Sequence, residues 1–318
     1  MRVAFHADDL GFSPSINDGI FDALRRGVLT GASVLSNAPK ASEALAEWKA
    51  IDAERRGGTL PSLVARKQLD DLEKPFDLGV HLNLSQGRPL SDAKFPGSML
   101  DDEGCFRGLR SLMRLLSPDA SRYAHVICLE LSAQIEFVLD HSIRPVRLDG
   151  HQYCELVPVV GHIVHQLAER YDINAVRVAR EPGVLGALVQ SHGLYAVSLC
   201  PSTIATQCFA VAYASRSRRA GLHHPQLFFG TVTAGRVGRR EIERFVSVAI
   251  HKCTALAEIG LHPAKQTAGN ASSNRTSKSD LAWHDPLSDL RPSELEWLVD
   301  AGFPAWLGDR GICLGRVS

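Results

Sequence analysis

The sequence has no surplus of charge, because its 35 Lys and Arg residues equal its 35 Asp and Glu residues. Proteins that bind nucleic acids or anionic membranes usually carry a basic excess, so neither partner is expected. No apolar run reaches the roughly 18–20 residues of a membrane-spanning helix, and acidic residues at Asp8 and Asp9 interrupt the N-terminal segment before a signal-type apolar block forms. We therefore expect a cytoplasmic protein with a small-molecule or oligosaccharide partner. The sequence leaves open whether it forms a homodimer.

The cysteines also lack a pattern, since the seven of them are scattered and contain no C-x-x-C pair. An odd, dispersed set is typical of free thiols in a reducing compartment, and it argues against a disulfide framework or a zinc ribbon. With 45% hydrophobic and 22% charged residues, the chain of 318 residues is also not globally disordered.

What the sequence does contain is a repeated alternation of strand and helix patterns. Arg2–His6 alternates as a short strand, and Ser13–Arg26 follows as a helix with Ser13 as its N-cap and Pro14 in its first turn. Phe76–Leu84 is the clearest strand: every second residue is apolar, and the other face carries His81 and Asn83. Such repetition predicts a parallel α/β architecture.

Polar residues at strand ends favour a barrel over an open sheet. About seven strand–helix units fit the length, and the chemically interesting residues lie at or just after the C-terminal ends of predicted strands, where barrel enzymes assemble their sites. Open doubly wound sheets share this property and remain an alternative. We predict a single TIM-barrel-like domain over residues 1–318, with about seven parallel strands, excursions near 51–75 and 88–120, and a flexible loop near 265–281.

Three segments could together hold a metal ion. Asp8 and Asp9 are adjacent carboxylates after a strand and repel one another unless a cation or a shared proton relieves them, although one of them could instead cap the following helix. His81 and His151 each have a structural interpretation as well as a ligand one. One carboxylate and two imidazoles suit a divalent ion that keeps open positions for water and substrate.

The remaining histidines are more ambiguous. His262 follows a late strand and could be a further ligand, a proton donor or a capping residue. His162 and His165 lie three apart on a predicted helix, where packing or exposure explains them. His223 and His224 fall in a basic loop and are interpreted as solvated.

Six motifs, in order along the chain, resemble the YdjC-like carbohydrate deacetylases, which include chitooligosaccharide deacetylase and a hopanoid-associated relative. The resemblance covers roughly residues 1–315, and each motif alone is weak. The motifs are Ala7–Asn17, Gly79–Leu84, Asp149–Gln152, Val176–Glu181, Phe229–Gly230 and Glu258–Pro263.

The resemblance implies a distorted (β/α) barrel that removes an N-acetyl group from an amino sugar or glycoside, using metal-activated water. Carried over by position, the metal ligands are Asp9, His81 and His151. Asp8 is then the catalytic base, His262 the protonated acid, and Arg177 or Arg180 stands beside the base; we assign Arg180. One divalent ion is implied, with zinc expected from the ligand types and magnesium, manganese or cobalt as alternatives.

The sequence departs from the family pattern at four positions. Tyr153 stands where the family usually has a histidine, and a further family histidine is missing near Glu155; Ala179 and Ala264 replace a usual proline and glycine. Two other functions therefore stay open. One is another metal-dependent sugar or phosphoester hydrolase, although no glycine-rich phosphate loop is visible. The other is a sugar-binding relative without turnover.

Overall fold

The computed structural model describes residues 1–60, 76–116, 119–182, 201–231, 233–266 and 283–317. Its elements, in chain order, are β1 Arg2–Leu10, α1 Pro14–Arg26, β2 Gly31–Val34, α2 Ala41–Arg56, β3 Asp77–Leu82, α3 Leu109–Leu116, α4 Ser121–Asp140, β4 Arg147–Gly150, a 3₁₀ segment His151–Leu156, α5 Pro158–Arg170, β5 Ala175–Val176, α6 Pro201–Arg219, β6 Leu227–Phe229, α7 Arg239–His251, β7 Leu256–Leu261, α8 Arg291–Leu298, α9 Phe303–Gly308 and β8 Cys313–Leu314.

Seven parallel strands form a curled half-barrel in the order β5-β4-β3-β2-β1-β7-β6, and β8 pairs in parallel with the start of β1. The two edges approach one another: Ala175 and His223 form an isolated parallel bridge, and the Phe228 N–H donates to the carbonyl of Arg180 at 3.0 Å. The predicted barrel-like α/β fold with about seven parallel strands is therefore confirmed, including its distortion.

Helix α1 shows how local sequence fixes an element that supports the site. The Ser13 hydroxyl accepts a hydrogen bond from the Ile16 N–H at 3.3 Å, and Pro14 occupies the first turn. The apolar stripe that includes Ile16, Ile20 and Leu24 is buried, as predicted from its spacing. The helix thereby starts directly after the loop that follows β1.

The inner face of the half-barrel is polar but buried. All six residues of β3 are buried, so the face that carries His81 points into the barrel, because a parallel strand is covered on both sides. Gly79 makes room there: a Cβ on this residue would lie 2.2 Å from Ser33 Oγ and 2.8 Å from Arg147 Cγ. The missing side chain at Gly79 is thus what admits the Arg147 side chain to the interior.

Both predicted excursions contain helical residues. Helix α2 continues to Arg56 within the first excursion, and residues 61–75 lie outside the described ranges. The second excursion contains α3 and an antiparallel bridge between Leu100 and Phe106. Most of the loop near 265–281 also falls outside the described residues. No helix within the described ranges is long and apolar enough to span a bilayer.

Candidate metal centre

A cavity of about 180 Å³ opens at the C-terminal ends of the strands. Its wall combines most of the residues predicted from the sequence with several that were not. Its lining includes Asp8, Asp9, Phe12, His81, Gln86, His151, Gln152, Tyr153, Thr231, His262, His284, Asp285 and Arg291.

The structure brings Asp9, His81 and His151 together, as predicted. Each offers one ligand atom, these atoms all lie within 4.8 Å of one another, and all three residues are buried. Asp9 Oδ1 lies 3.6 Å from His81 Nε2 and 3.2 Å from His151 Nδ1. Tyr153 lines the same cavity but does not belong to this group, so the group does not need the histidine that the family usually has at that position.

The end of β1 is distorted in a way that lets both aspartates line the cavity. In a regular strand, successive side chains point to opposite faces. Here the pairing of β1 with β2 shifts register between Ala7 and Leu10, and Asp9 adopts a left-handed backbone with φ of 68°. Asp is one of the residue types that tolerate this conformation. The result is two neighbouring carboxylates on one side of the sheet edge.

Asp9 fits the role of a cation ligand because one of its two carboxylate oxygens accepts no hydrogen bond from the described residues. Its Oδ2 accepts a hydrogen bond from Arg291 Nη2 at 2.7 Å, whereas its buried Oδ1 has no hydrogen-bond partner among the described residues. Burial alone raises the pKa of Asp9, but the Arg291 charge and His151 outweigh it and hold that pKa well below its usual value. Asp9 is therefore an ionised carboxylate whose unpaired oxygen faces two imidazoles.

His81 is oriented by a carboxylate behind it. Its Nδ1 lies 2.6 Å from Asp149 Oδ1, so the Nδ1–H tautomer donates to Asp149 and leaves Nε2 for a metal ion. Asp149 is held in turn by the Ser33 hydroxyl, which donates to Oδ2 at 2.6 Å. Burial lowers the pKa of His81, but the charges of Asp8 and Asp149 outweigh burial and raise it above its usual value.

His151 begins the 3₁₀ segment directly after β4. Its Nε2 lies 3.2 Å from Gln86 Nε2, and its Nδ1 faces Asp9. The next two residues, Gln152 and Tyr153, both have left-handed backbones, with φ of 54° and 60°. This sharp turn directs the chain away from the strand while His151 stays at the cavity.

Asp8 has a different set of contacts from Asp9. Arg177 Nη1 donates to its Oδ2 at 2.6 Å and Arg177 Nη2 to its Oδ1 at 2.7 Å. Arg177 Nε also donates to Glu258 Oε1 at 2.8 Å, and Glu258 accepts from Arg147 Nη2 at 2.9 and 3.0 Å. This fully buried network supports the site from inside the barrel.

The arginine beside Asp8 is Arg177, whereas the sequence analysis assigned Arg180. Arg177 lies one residue after β5, on the inner face with Ala175, and is fully buried; Arg180 is exposed. The two arginines are three positions apart, with two residues between them, so they do not share a face of extended backbone. The assignment of Arg180 beside the base is therefore corrected.

His262 follows β7 on the Asp8 side of the cavity. Its Nε2 lies 3.8 Å from Asp8 Oδ2, and its backbone N–H donates to Glu294 Oε2 at 2.6 Å. Burial lowers the pKa of His262 to about 4, although Asp8 and Asp9 raise it. The imidazole is therefore neutral at pH 7, which contradicts the expectation that it is protonated before the reaction.

Sequence reasoning missed Arg291, Asp285 and Gln86. Arg291 contacts both Asp9 and Asp285, and Gln86 contacts His151. None of them lies in a segment that the motifs cover. Only the strand ends carried a recognisable signal, and these residues come from loops and from the start of α8.

Comparison with known proteins identifies the family of the chain. A family model described as "YdjC-like protein" matches residues 2–309. A carbohydrate deacetylase of Geobacillus stearothermophilus is 33% identical over 178 residues, which are 55% of this chain and 60% of that protein. A carbohydrate deacetylase of Xenopus laevis is 25% identical over 243 residues, 74% of this chain and 68% of that protein. The matched region thus spans about 60% of the bacterial relative.

A solved structure shares the fold. It is a crystal structure from Enterococcus faecalis V583 named "putative cellobiose-phosphate cleavage protein". The TM-score is 0.67 at 19% identity, and the match covers 99% of this chain and 97% of that chain. At this identity the likeness concerns the architecture alone.

Proposed function

Because the chain belongs to the YdjC-like protein family, we propose that it is a metal-dependent carbohydrate N-deacetylase. It would hydrolyse the acetamide of an N-acetylated amino sugar or glycoside and release acetate. One observation carries the proposal: three buried ligand atoms lie close together beside a second carboxylate, that of Asp8. The three atoms are Asp9 Oδ1, His81 Nε2 and His151 Nδ1.

The donor set fits a divalent cation held by Asp9, His81 and His151. Two imidazoles and one carboxylate suit zinc by ligand type, with cobalt, manganese and magnesium as further candidates. When bound, such an ion polarises an amide carbonyl and lowers the pKa of water from about 15.7 towards 7. Asp9 Oδ1 supports this assignment, because no described residue forms a hydrogen bond with it and a buried carboxylate oxygen without such a bond is otherwise costly.

Asp8 is the proposed general base. Both of its oxygens receive hydrogen bonds from Arg177, which fixes the carboxylate plane at the edge of the cavity. In this position Asp8 takes a proton from the water that attacks the acetamide carbonyl. General-base assistance of this kind contributes typically about 10²–10⁴-fold to the rate.

His262 is the proposed donor to the leaving nitrogen. Since burial keeps it neutral at pH 7, we propose that it first receives the proton that Asp8 has taken, across the 3.8 Å between Asp8 Oδ2 and its Nε2. It then protonates the nitrogen as the carbon–nitrogen bond breaks. The sugar leaves as a neutral amine, the water oxygen and its remaining proton end in acetic acid, which ionises to acetate in the solvent, and Asp8 and His262 return to their starting states.

The test is acetate release from N-acetylglucosamine oligosaccharides by the purified protein. We expect acetate from the metal-loaded protein and none after chelation, with recovery on adding back Zn²⁺ or Co²⁺. A sugar phosphate is assayed in parallel. Phosphate release without acetate would instead identify the phosphoester hydrolase, and tight sugar binding with neither product would identify the non-catalytic relative.

A further inference from the structure

A guanidinium from the far end of the chain connects the candidate ligand Asp9 to a second carboxylate. Arg291, the first residue of α8, donates from Nη2 to Asp9 Oδ2 at 2.7 Å and to Asp285 Oδ1 at 3.0 Å. Its Nε donates to Asp285 Oδ2 at 2.8 Å. Both oxygens of Asp285 thus accept hydrogen bonds from the guanidinium, and Nη2 of the same guanidinium also donates to Asp9.

This arrangement has a definite effect on Asp9. Arg291 is only 2% exposed, and a two-point contact with Asp285 fixes the plane of its guanidinium. Because Nη2 engages Oδ2, the other oxygen of Asp9 stays turned towards His81 and His151. The negative charge of Asp285 also balances the positive charge of Arg291, which is separated from the candidate cation site by the Asp9 carboxylate.

We propose that Asp285 and Arg291 are positioning residues that set the affinity of the Asp9–His81–His151 site for a divalent cation. The inference rests on the cation site of the proposed function, but not on the reaction or the sugar. Partners behind metal ligands typically contribute about 10–100-fold to metal affinity.

Each consequence of losing the Asp285 charge lowers the affinity of the site for a cation. The loss leaves the Arg291 charge uncompensated next to the site, it removes the anchor of the guanidinium, and it frees that guanidinium to compete for Asp9 Oδ1. Replacement of Arg291 by lysine keeps the charge but removes the planar fork, so that one group no longer holds both carboxylates. Both changes therefore weaken cation binding.

The experiment is calorimetric titration of Co²⁺ into the metal-free protein, with binding at the site defined as the part that His81→Ala abolishes. We expect Asp285→Asn and Arg291→Lys each to weaken that binding about 10–100-fold. The matched control is Asp300→Asn, which removes a carboxylate paired with Arg239 Nη2 at 3.0 Å. Its Co²⁺ affinity should equal that of the wild type.

Wild-type affinity in both Asp285→Asn and Arg291→Lys would overturn the proposal, as would a wild-type protein that binds no Co²⁺ at this site. Circular dichroism and thermal melting of the metal-free variants separate affinity from folding; if Asp285→Asn does not fold, Arg291→Lys decides. Tight Co²⁺ binding without acetate release would count against the deacetylase activity and leave this inference intact.

Discussion

Asp8 and Asp9 are adjacent in the sequence and line the same cavity, yet their partners differ. Both oxygens of Asp8 are held by Arg177, at 2.7 and 2.6 Å. Within the described part of the chain, Asp9 is held by an arginine at Oδ2 alone, through Arg291, and its Oδ1 faces two histidines without a hydrogen bond. Identical side chains one residue apart are therefore prepared for different tasks.

In the proposed function, the partners of each carboxylate match the task proposed for it. A fork of two N–H donors fixes the orientation of Asp8 and occupies both of its oxygens. A single contact holds Oδ2 of Asp9 and leaves Oδ1 for a cation. The same cavity can thereby combine a base and a ligand without exchange of their roles.

The largest expected effect is on the Asp9 side. Asp9→Asn removes the only carboxylate of the proposed ligand group. We therefore expect cation affinity at the site to fall by more than the roughly 10–100-fold that is typical when a residue hydrogen-bonded to a metal ligand is replaced. Acetate release should be lost with it. Calorimetry with Co²⁺ measures the first effect and a coupled acetate assay the second. Unchanged cation binding would remove the distinction between the two aspartates.

A smaller and more selective effect is expected on the Asp8 side. Asp8→Asn should lower kcat about 10²–10⁴-fold, because the proton acceptor is lost, while the cation still binds. Metal content and kcat are measured on the same preparation. A variant that loses its cation along with its activity would make Asp8 a ligand, and undiminished acetate release would exclude Asp8 as the base.

The third effect is on stability rather than on activity and concerns a buried carboxylate, that of Glu155. Both oxygens of buried Glu155 lack hydrogen-bond partners among the described residues, and burial raises its pKa from 4.5 to about 8. As pH rises between these values, the unfolded chain gives up this proton and the folded protein keeps it. The free energy of unfolding therefore falls over this window, by on the order of 4 kcal/mol for this one group.

Glu155→Gln should remove that loss. We expect its thermal midpoint to exceed that of the wild type at pH 8 and to match it closely at pH 4.5, measured by calorimetric melting. Glu169→Gln on α5 is the control, since Glu169 is exposed and its replacement should shift neither curve. A wild-type melting curve with no extra fall towards pH 8 would show that Glu155 has a partner in solution.

The part of the site that could be predicted is the part attached to strands. The residues Asp9, His81 and His151 each lie within one residue of a strand end, and a parallel barrel gathers such ends at one rim. Predicting that these three residues belong to one group did not require the distances between them. Ligand type and position in the fold predicted one carboxylate and two imidazoles, and the resemblance to the YdjC-like family selected Asp9 rather than Asp8 as the carboxylate.

The remaining residues could not be predicted because their positions depend on geometry without a local pattern. Strand β5 has only two residues, so nothing in the sequence shows which of Arg177 and Arg180 faces inward. Arg291 is 282 residues away from Asp9 and reaches it through the docking of α8, which no periodicity encodes. The neutral state of His262 likewise follows from burial, which a strand end alone does not reveal.

The left-handed turn at Asp9 also matters for anyone who transplants this centre into a designed scaffold. An idealised β-strand presents consecutive side chains to opposite faces, so a copy of the sequence Asp-Asp on a straight strand would deliver one carboxylate and hide the other. The designed backbone therefore has to include the irregular end of β1, with φ of 68° at Asp9, before any side chain is chosen.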